Sequence, residues 1–307
     1  MNLQRDIFIK EVYEALKVNK KIYFLSADFG AEALDRLRKD FPKNFIHCGI
    51  SEQAMFDVAT GLALEKKKVF VYAMSPFISL RAIEQIKCGP SMMNLPMTIL
   101  SVGIGLGYAD AGPTHYATED FACLRSIIGT KIFTPSDNLT VKFLAKDIIK
   151  NDKGLNYVRL DRHSVTDNIS NLSFKDFQEG FRIIGNFDKN KVVIISHGRI
   201  LNQCLEVLKN NGDKCLVVDL FRSKPISKKL ILRLKNNKNI IIVDEQCLAG
   251  NLSSSVFEAF SNFKIFPKIQ SIYLPEEYVF ENGGRDYLLK KYKLDSKNIE
   301  LILLSHF

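Results

Sequence analysis

Phe45-Ile46-His47-Cys48-Gly49-Ile50-Ser51-Glu52-Gln53-Ala54-Met55-Phe56 passes from an apolar run, through a glycine-containing turn, into a helical pattern with the apolar face Phe56, Ala59 and Ala63. The pattern predicts a helix over 52 to 66. Lys66-Lys67-Lys68 reads as a solvated turn, after which Val69 to Tyr72 is apolar again. Strand, helix and strand at this spacing make a crossover unit, and a crossover of that length joins parallel strands.

The alternation continues in both directions. Further strands are expected at Ile22 to Ser26, Met97 to Val102, Lys131 to Phe133 and Tyr157 to Leu160, with helices near 3 to 18, 31 to 40, 77 to 88, 118 to 128 and 137 to 150. Residues 1–165 thus read as a doubly wound α/β domain with a mostly parallel sheet. Periodicity weakens over 166–190, which is expected to be a linker. It resumes over 191–307, with strands at Val192 to Ser196, Leu216 to Asp219, Ile240 to Asp244 and Ile269 to Tyr273, and helices near 200 to 210, 227 to 236 and 250 to 262. The second domain is therefore also α/β, and smaller.

Composition narrows the function. With 46% hydrophobic and 25% charged residues over 307 positions, the chain is an ordinary globular one. The net charge of +9 comes from lysines and arginines spread along the sequence, not gathered on one element with aromatics between them, which argues against nucleic acid. No apolar run reaches the roughly 18 residues of a membrane span, and the first residues lack a signal-peptide core, so a cytoplasmic location is expected. The six cysteines form no Cys-x-x-Cys pair, which leaves buried, reduced thiols as the expectation and no metal site.

Gly103, Gly105 and Gly107 follow a strand but miss the dinucleotide fingerprint, because the third glycine should fall at Tyr108. The segment reads instead as a flexible strand-to-loop stretch near a ligand. Glu52 opens a helix, where the dipole favours an anion, yet it also sits at the C-terminal edge of a parallel strand, where α/β folds bind ligands. His115, in the turn Gly112-Pro113-Thr114-His115, is either solvated or a proton donor and acceptor. Nothing in the sequence offers a nucleophile elbow, a phosphate loop or a His-x-x-x-His metal pair.

Taken in order, Cys48-Gly49-Ile50-Ser51-Glu52-Gln53-Ala54-Met55, Gly61-Leu62-Ala63, Arg81-Ala82-Ile83-Glu84-Gln85-Ile86 and Gly112-Pro113-Thr114-His115 with Glu119-Asp120 resemble the C-terminal half of transketolase. Ser26-Ala27-Asp28, Pro135-Ser136-Asp137 and Val243-Asp244-Glu245 with Gly250 extend the resemblance over nearly the whole chain.

The resemblance implies a thiamine diphosphate pyrimidine-binding domain, a linker and a transketolase C-terminal domain. It gives Glu52 a catalytic role, hydrogen-bonding N1′ of the aminopyrimidine to favour its imino tautomer, and makes the cofactor the electron sink. It also implies that Phe77 packs on the pyrimidine, that Asp28 lies at the cofactor, and that His115 acts in catalysis. A further stacking aromatic of the family falls on Met74. Phosphate-binding arginines fall on Arg5 and Arg162. A donor-site histidine falls on Gly103 and a sugar-binding aspartate on Ala111, with Asp110 displaced by one, so a non-standard sugar is expected.

The family's Gly-Asp-Gly sequence, followed by an asparagine, which holds the diphosphate and Mg²⁺, is absent from the sequence. The chain is therefore expected to be the C-terminal subunit of a split enzyme, inactive alone. Its expected partner is an N-terminal transketolase subunit that holds the Mg²⁺, in an α2β2 heterotetramer acting on a sugar phosphate or a modified sugar. The alternatives are the β subunit of a 2-oxo acid dehydrogenase and a non-catalytic assembly subunit; the Gly-Pro-Thr-His run disfavours the first and Glu52 the second. A one-chain deoxyxylulose phosphate synthase is disfavoured for want of the N-terminal half.

Overall fold

The computed structural model describes residues 3–27, 30–151, 153–169 and 172–307. Its strands are β1 (Ile22–Ala27), β2 (Phe45–Gly49), β3 (Lys68–Met74), β4 (Met97–Val102), β5 (Thr130–Phe133), β6 (Leu155–Leu160), β7 (Arg182–Ile184), β8 (Val192–Ser196), β9 (Cys215–Asp219), β10 (Arg222–Lys224), β11 (Asn239–Cys247) and β12 (Lys268–Leu274). They form a seven-stranded sheet ordered β10-β5-β6-β4-β3-β1-β2 and a five-stranded sheet ordered β12-β11-β8-β9-β7. Pairing is parallel except at β10 with β5 and β7 with β9. The expected α/β class with two mostly parallel sheets is what the chain adopts.

Every residue of β4 and β6 is buried, as central strands covered on both faces must be, and this includes the polar Thr98, Ser101, Asn156 and Arg159. Leu25, Val71 and Ile99 face one side of the first sheet, and Phe24, Phe70 and Leu100 the other. The first of these clusters runs on through Phe121 and Leu124 to Val218, Ile242 and Val256, so the two sheets share part of one core.

The stretch 166–190, expected as a linker, holds the helical turn Phe174–Phe177 and β7. β10, from the second half of the chain, completes the first sheet by pairing Arg222 with Phe133. Neither strand is among those expected, because three residues carry no periodicity to read. The helix expected over 77 to 88 is replaced by π-helical turns at Phe77–Arg81 and Lys87–Ser91 flanking one α-helical turn, Ile83–Ile86. Pro90 contributes to this break, since it supplies no N–H for a regular α-helical ladder. No described helix is long and apolar enough to cross a membrane.

Candidate functional site

Glu52 is the first residue of the helix Glu52–Leu64, directly after β2, and is 3% exposed. Its carboxylate accepts a hydrogen bond from Arg81 Nη1 at 2.6 Å. A carboxylate so buried needs such a partner, and the helix N-terminus adds to the favourable field. Arg81 comes from the first π turn after β3, where its guanidinium lies 4.4 Å from the centroid of the Phe77 ring. The sequence reading met Arg81 only as part of a motif. Its spacing of four residues from Phe77, which puts the two on one helical face, is the signal that marks it.

From Phe77 the contacts continue. Its ring meets His115 edge-on at 5.3 Å, and His115 meets Tyr108 at 6.2 Å. Thr114 Oγ1 lies 2.9 Å from His115 Nδ1. Arg162, which follows β6, stacks over Tyr108 at 4.5 Å and donates to Asp110 Oδ1 at 2.5 Å. Arg5 lies within the electrostatic reach of both the Tyr72 and the Tyr108 phenols. Glu52, Arg81, Phe77, His115, Tyr108, Arg162 and Asp110 therefore form an unbroken run of side-chain contacts across the C-terminal ends of β2, β3, β4 and β6. Parallel strands deliver their loops to one edge, which is why residues distant in sequence meet there.

The residues expected from the sequence do not all fall together. Glu52, Phe77, His115, Asp110, Arg162 and Arg5 are at this edge. Met74 ends β3 three residues before Phe77 and is partly buried. Asp28 lies outside the described residues. Gly103 takes φ +87°, and a β-carbon there would fall 2.0 Å from Tyr108 Cε2, so a phenol ring fills the space a side chain at 103 would enter. Burial pushes the Tyr108 phenol up to about 12. The hydrogen bond from Arg162 holds the exposed Asp110 carboxyl below its usual range.

Other motif residues have structural partners. Asp120 is buried against Arg159, accepting from Nε at 2.8 Å and Nη2 at 2.9 Å, and also accepts from Tyr157 Oη at 2.6 Å. Asp137 pairs with Arg182, which also binds Asp219. Asp244 accepts the Leu252 N–H at the start of a helix and lies 3.2 Å from His197. Among the described residues no group of three His, Cys, Asp or Glu side chains is arranged to hold a metal. Cavities of about 430, 420 and 500 Å³ open elsewhere, on linings that exclude Glu52, Phe77 and His115.

Two family models match the chain: the transketolase pyrimidine binding domain over residues 4–167 and the transketolase C-terminal domain over 186–299. One of the subunits of the apulose-4-phosphate transketolase of Phocaeicola vulgatus is 29% identical, over 96% of this chain and 94% of that one. A 1-deoxy-D-xylulose-5-phosphate synthase of Caldanaerobacter subterraneus is 27% identical over 98% of this chain, which spans 48% of that protein. Among solved structures, a split-gene transketolase described as an inactive β4 tetramer superposes with a TM-score of 0.85 at 26% identity, covering 99% of this chain and 98% of the other.

Proposed function

The chain belongs to the transketolase family, and from that premise we propose that it is the C-terminal subunit of a two-chain, thiamine diphosphate-dependent enzyme that moves a two-carbon ketol unit between sugar phosphates. The observation that carries this reading is the run of contacts from buried Glu52 to Arg162, which joins a carboxyl group, an aromatic ring, an imidazole and a phosphate-binding guanidinium along one sheet edge.

These residues suit half of the cofactor. Glu52, buried beside the Phe77 platform, would hold the pyrimidine by a hydrogen bond at N1′, with Arg81 moving off its carboxylate to admit the ring. Bound thiamine diphosphate supplies the carbon nucleophile and electron sink. No Gly-Asp-Gly occurs in the sequence, so the diphosphate and Mg²⁺ are assigned to a partner chain, in an α2β2 heterotetramer in the cytoplasm. The open edge supports this, since a site with one wall is closed only by a second surface.

His115, held at Nδ1 by Thr114, has Nε2 left to exchange a proton with a substrate hydroxyl. Arg162 and Arg5 would bind the substrate phosphate through charge-assisted hydrogen bonds. A non-standard sugar is supported by Gly103 with its overlying Tyr108, by Ala111, and by the relative named for apulose 4-phosphate.

The test is reconstitution with a chain that carries the Gly-Asp-Gly sequence. Ketol transfer that needs both chains and the cofactor is expected. Oxidative transfer from a 2-oxo acid to a lipoyl group instead would replace this reading with the 2-oxo acid dehydrogenase one.

A further inference from the structure

β11 runs on past its pairing with β8, which covers Ile240 to Ile242, and its last residues grip both stems of the loop that carries Tyr108, Asp110 and His115. On one stem, the Leu106 N–H donates to Glu245 Oε2 at 3.4 Å. On the other, Gln246 Nε2 donates to the Ala117 carbonyl and the Cys247 N–H donates to the Thr118 carbonyl. The stems are joined by reciprocal hydrogen bonds between Gly105 and Ala117. The fit at Gly105 is close, because a β-carbon there would fall 2.3 Å from Glu245 Oε2.

Glu245 is itself held by one guanidinium. Arg285, at the start of the helix Arg285–Lys291 and nearly fully buried, donates from Nε to Glu245 Oε1 at 3.0 Å and from Nη2 to Oε2 at 2.5 Å. Its remaining arm, Nη1, reaches Asp161 Oδ2 at 2.6 Å. Asp161 directly follows β6, accepts the His163 N–H at Oδ1, and donates its own N–H to Gln4, so its carboxylate fixes the turn that projects Arg162. The two groups that Arg285 ties together are thus the supports of Tyr108 and Asp110 on one side and of Arg162 on the other.

We propose that Arg285, acting through Glu245 and Asp161, is a positioning residue by which the C-terminal domain sets the spacing between the Tyr108–His115 loop and Arg162. The inference rests on the reading that this loop and Arg162 face the substrate. The competing account is an ion cluster that holds the two halves of the chain together without bearing on the substrate.

Two arms test it. In the full chain, Arg285→Gln should speed amide exchange over residues 103–110 and 161–165 about tenfold or more, with β8, β9 and β11 unchanged. In the two-chain complex it should raise the KM for xylulose 5-phosphate by about fivefold with kcat within about twofold, an increase absent for unphosphorylated xylulose and absent when Arg162→Ala is already present. Arg285→Lys should restore part of both effects. Glu245→Gln, which keeps an acceptor for Leu106 and leaves Arg285 in place, gives a milder version if Arg285→Gln does not fold. Unchanged exchange at 103–110, or KM effects that add to those of Arg162→Ala, would overturn the inference and leave the substrate reading standing. Equal KM effects of Arg162→Ala on both sugars would instead remove that reading, and the exchange arm would still judge Arg285.

Discussion

The ring of Tyr108 lies over Gly103, so close that a β-carbon on Gly103 would sit 2.0 Å from Cε2 and 2.4 Å from Cδ2. The two residues form one packed unit at the end of β4, and the backbone of Gly103, at φ +87°, is left-handed as well. At the position where the resemblance places a histidine, this chain on the proposed reading has a buried phenol supplied from five residues further on. On that reading the change at 103 is therefore a repacked wall, with the Tyr108 side of it turned to the substrate.

Gly103→Ala should lower stability by about 1–3 kcal/mol through overpacking, with about 1–2 kcal/mol more from the left-handed backbone. Combined with Tyr108→Leu, the cost should fall below the sum of the two single changes, because the ring that is struck has gone. Urea unfolding of the three variants measures this, and strict additivity would mean that the two residues do not share the space.

The isolated chain should bind thiamine diphosphate weakly or not at all until the partner is added, because on the proposed reading Glu52 and Phe77 contact only the pyrimidine. Calorimetry on the single chain and on the complex reads the difference. Micromolar binding of Mg²⁺-thiamine diphosphate by the chain alone would refute the division of the site.

Glu52→Gln in the complex should lower turnover by at least about 100-fold, the lower end of a general acid–base contribution. Folding should change little, since Arg81 is 41% exposed in its side chain and regains water when its partner is neutral. Hydrogen–deuterium exchange at cofactor C2 matching that of the wild-type complex would show that the carboxyl group has another role.

Arg162 donates to Asp110, and on the proposed reading it is shared between that carboxylate and a substrate phosphate, which predicts opposite effects. Arg162→Ala should raise the KM for a phosphorylated substrate by about tenfold or more over its effect on the unphosphorylated analogue, from charge-assisted bonds worth roughly 1.5–3 kcal/mol. Asp110→Asn frees the guanidinium and should lower that KM. If both variants act alike on both substrates, Arg162 serves only its pairing with Asp110.

Burial alone would raise the Asp161 carboxyl, but the charge and hydrogen bonds of Arg285 and the His163 contacts hold it well below the usual carboxylate range. A depressed folded pKa means that the stability Asp161 contributes is fully present above its unfolded value of about 3.9 and is lost as pH falls below it. Asp161→Asn should therefore be less stable than wild type at pH 7 and show a flatter loss of stability below about pH 4. Denaturant midpoints across that range decide it, and parallel acid limbs would mean that Asp161 does not govern the transition.

The alternation of short, mostly apolar strands with helical patterns around Phe45–Phe56 determined from sequence alone that the chain builds parallel α/β sheets, because strands covered on both faces by crossover helices are rich in apolar residues. Glu52 was legible for a separate reason: a helix start that follows a parallel strand lies at the C-terminal edge of the sheet, where α/β folds bind ligands, even though β2 is the last strand of its sheet. The capture of β10 by the first sheet, the Tyr108 ring over Gly103, the Arg81 contact with Glu52, and the bridge from Arg285 to Asp161 and Glu245 were decided only by the tertiary structure. Local periodicity records which face of an element is buried. It carries no record of which distant side chain arrives there, and Arg285 reaches a carboxylate 124 residues away in the sequence.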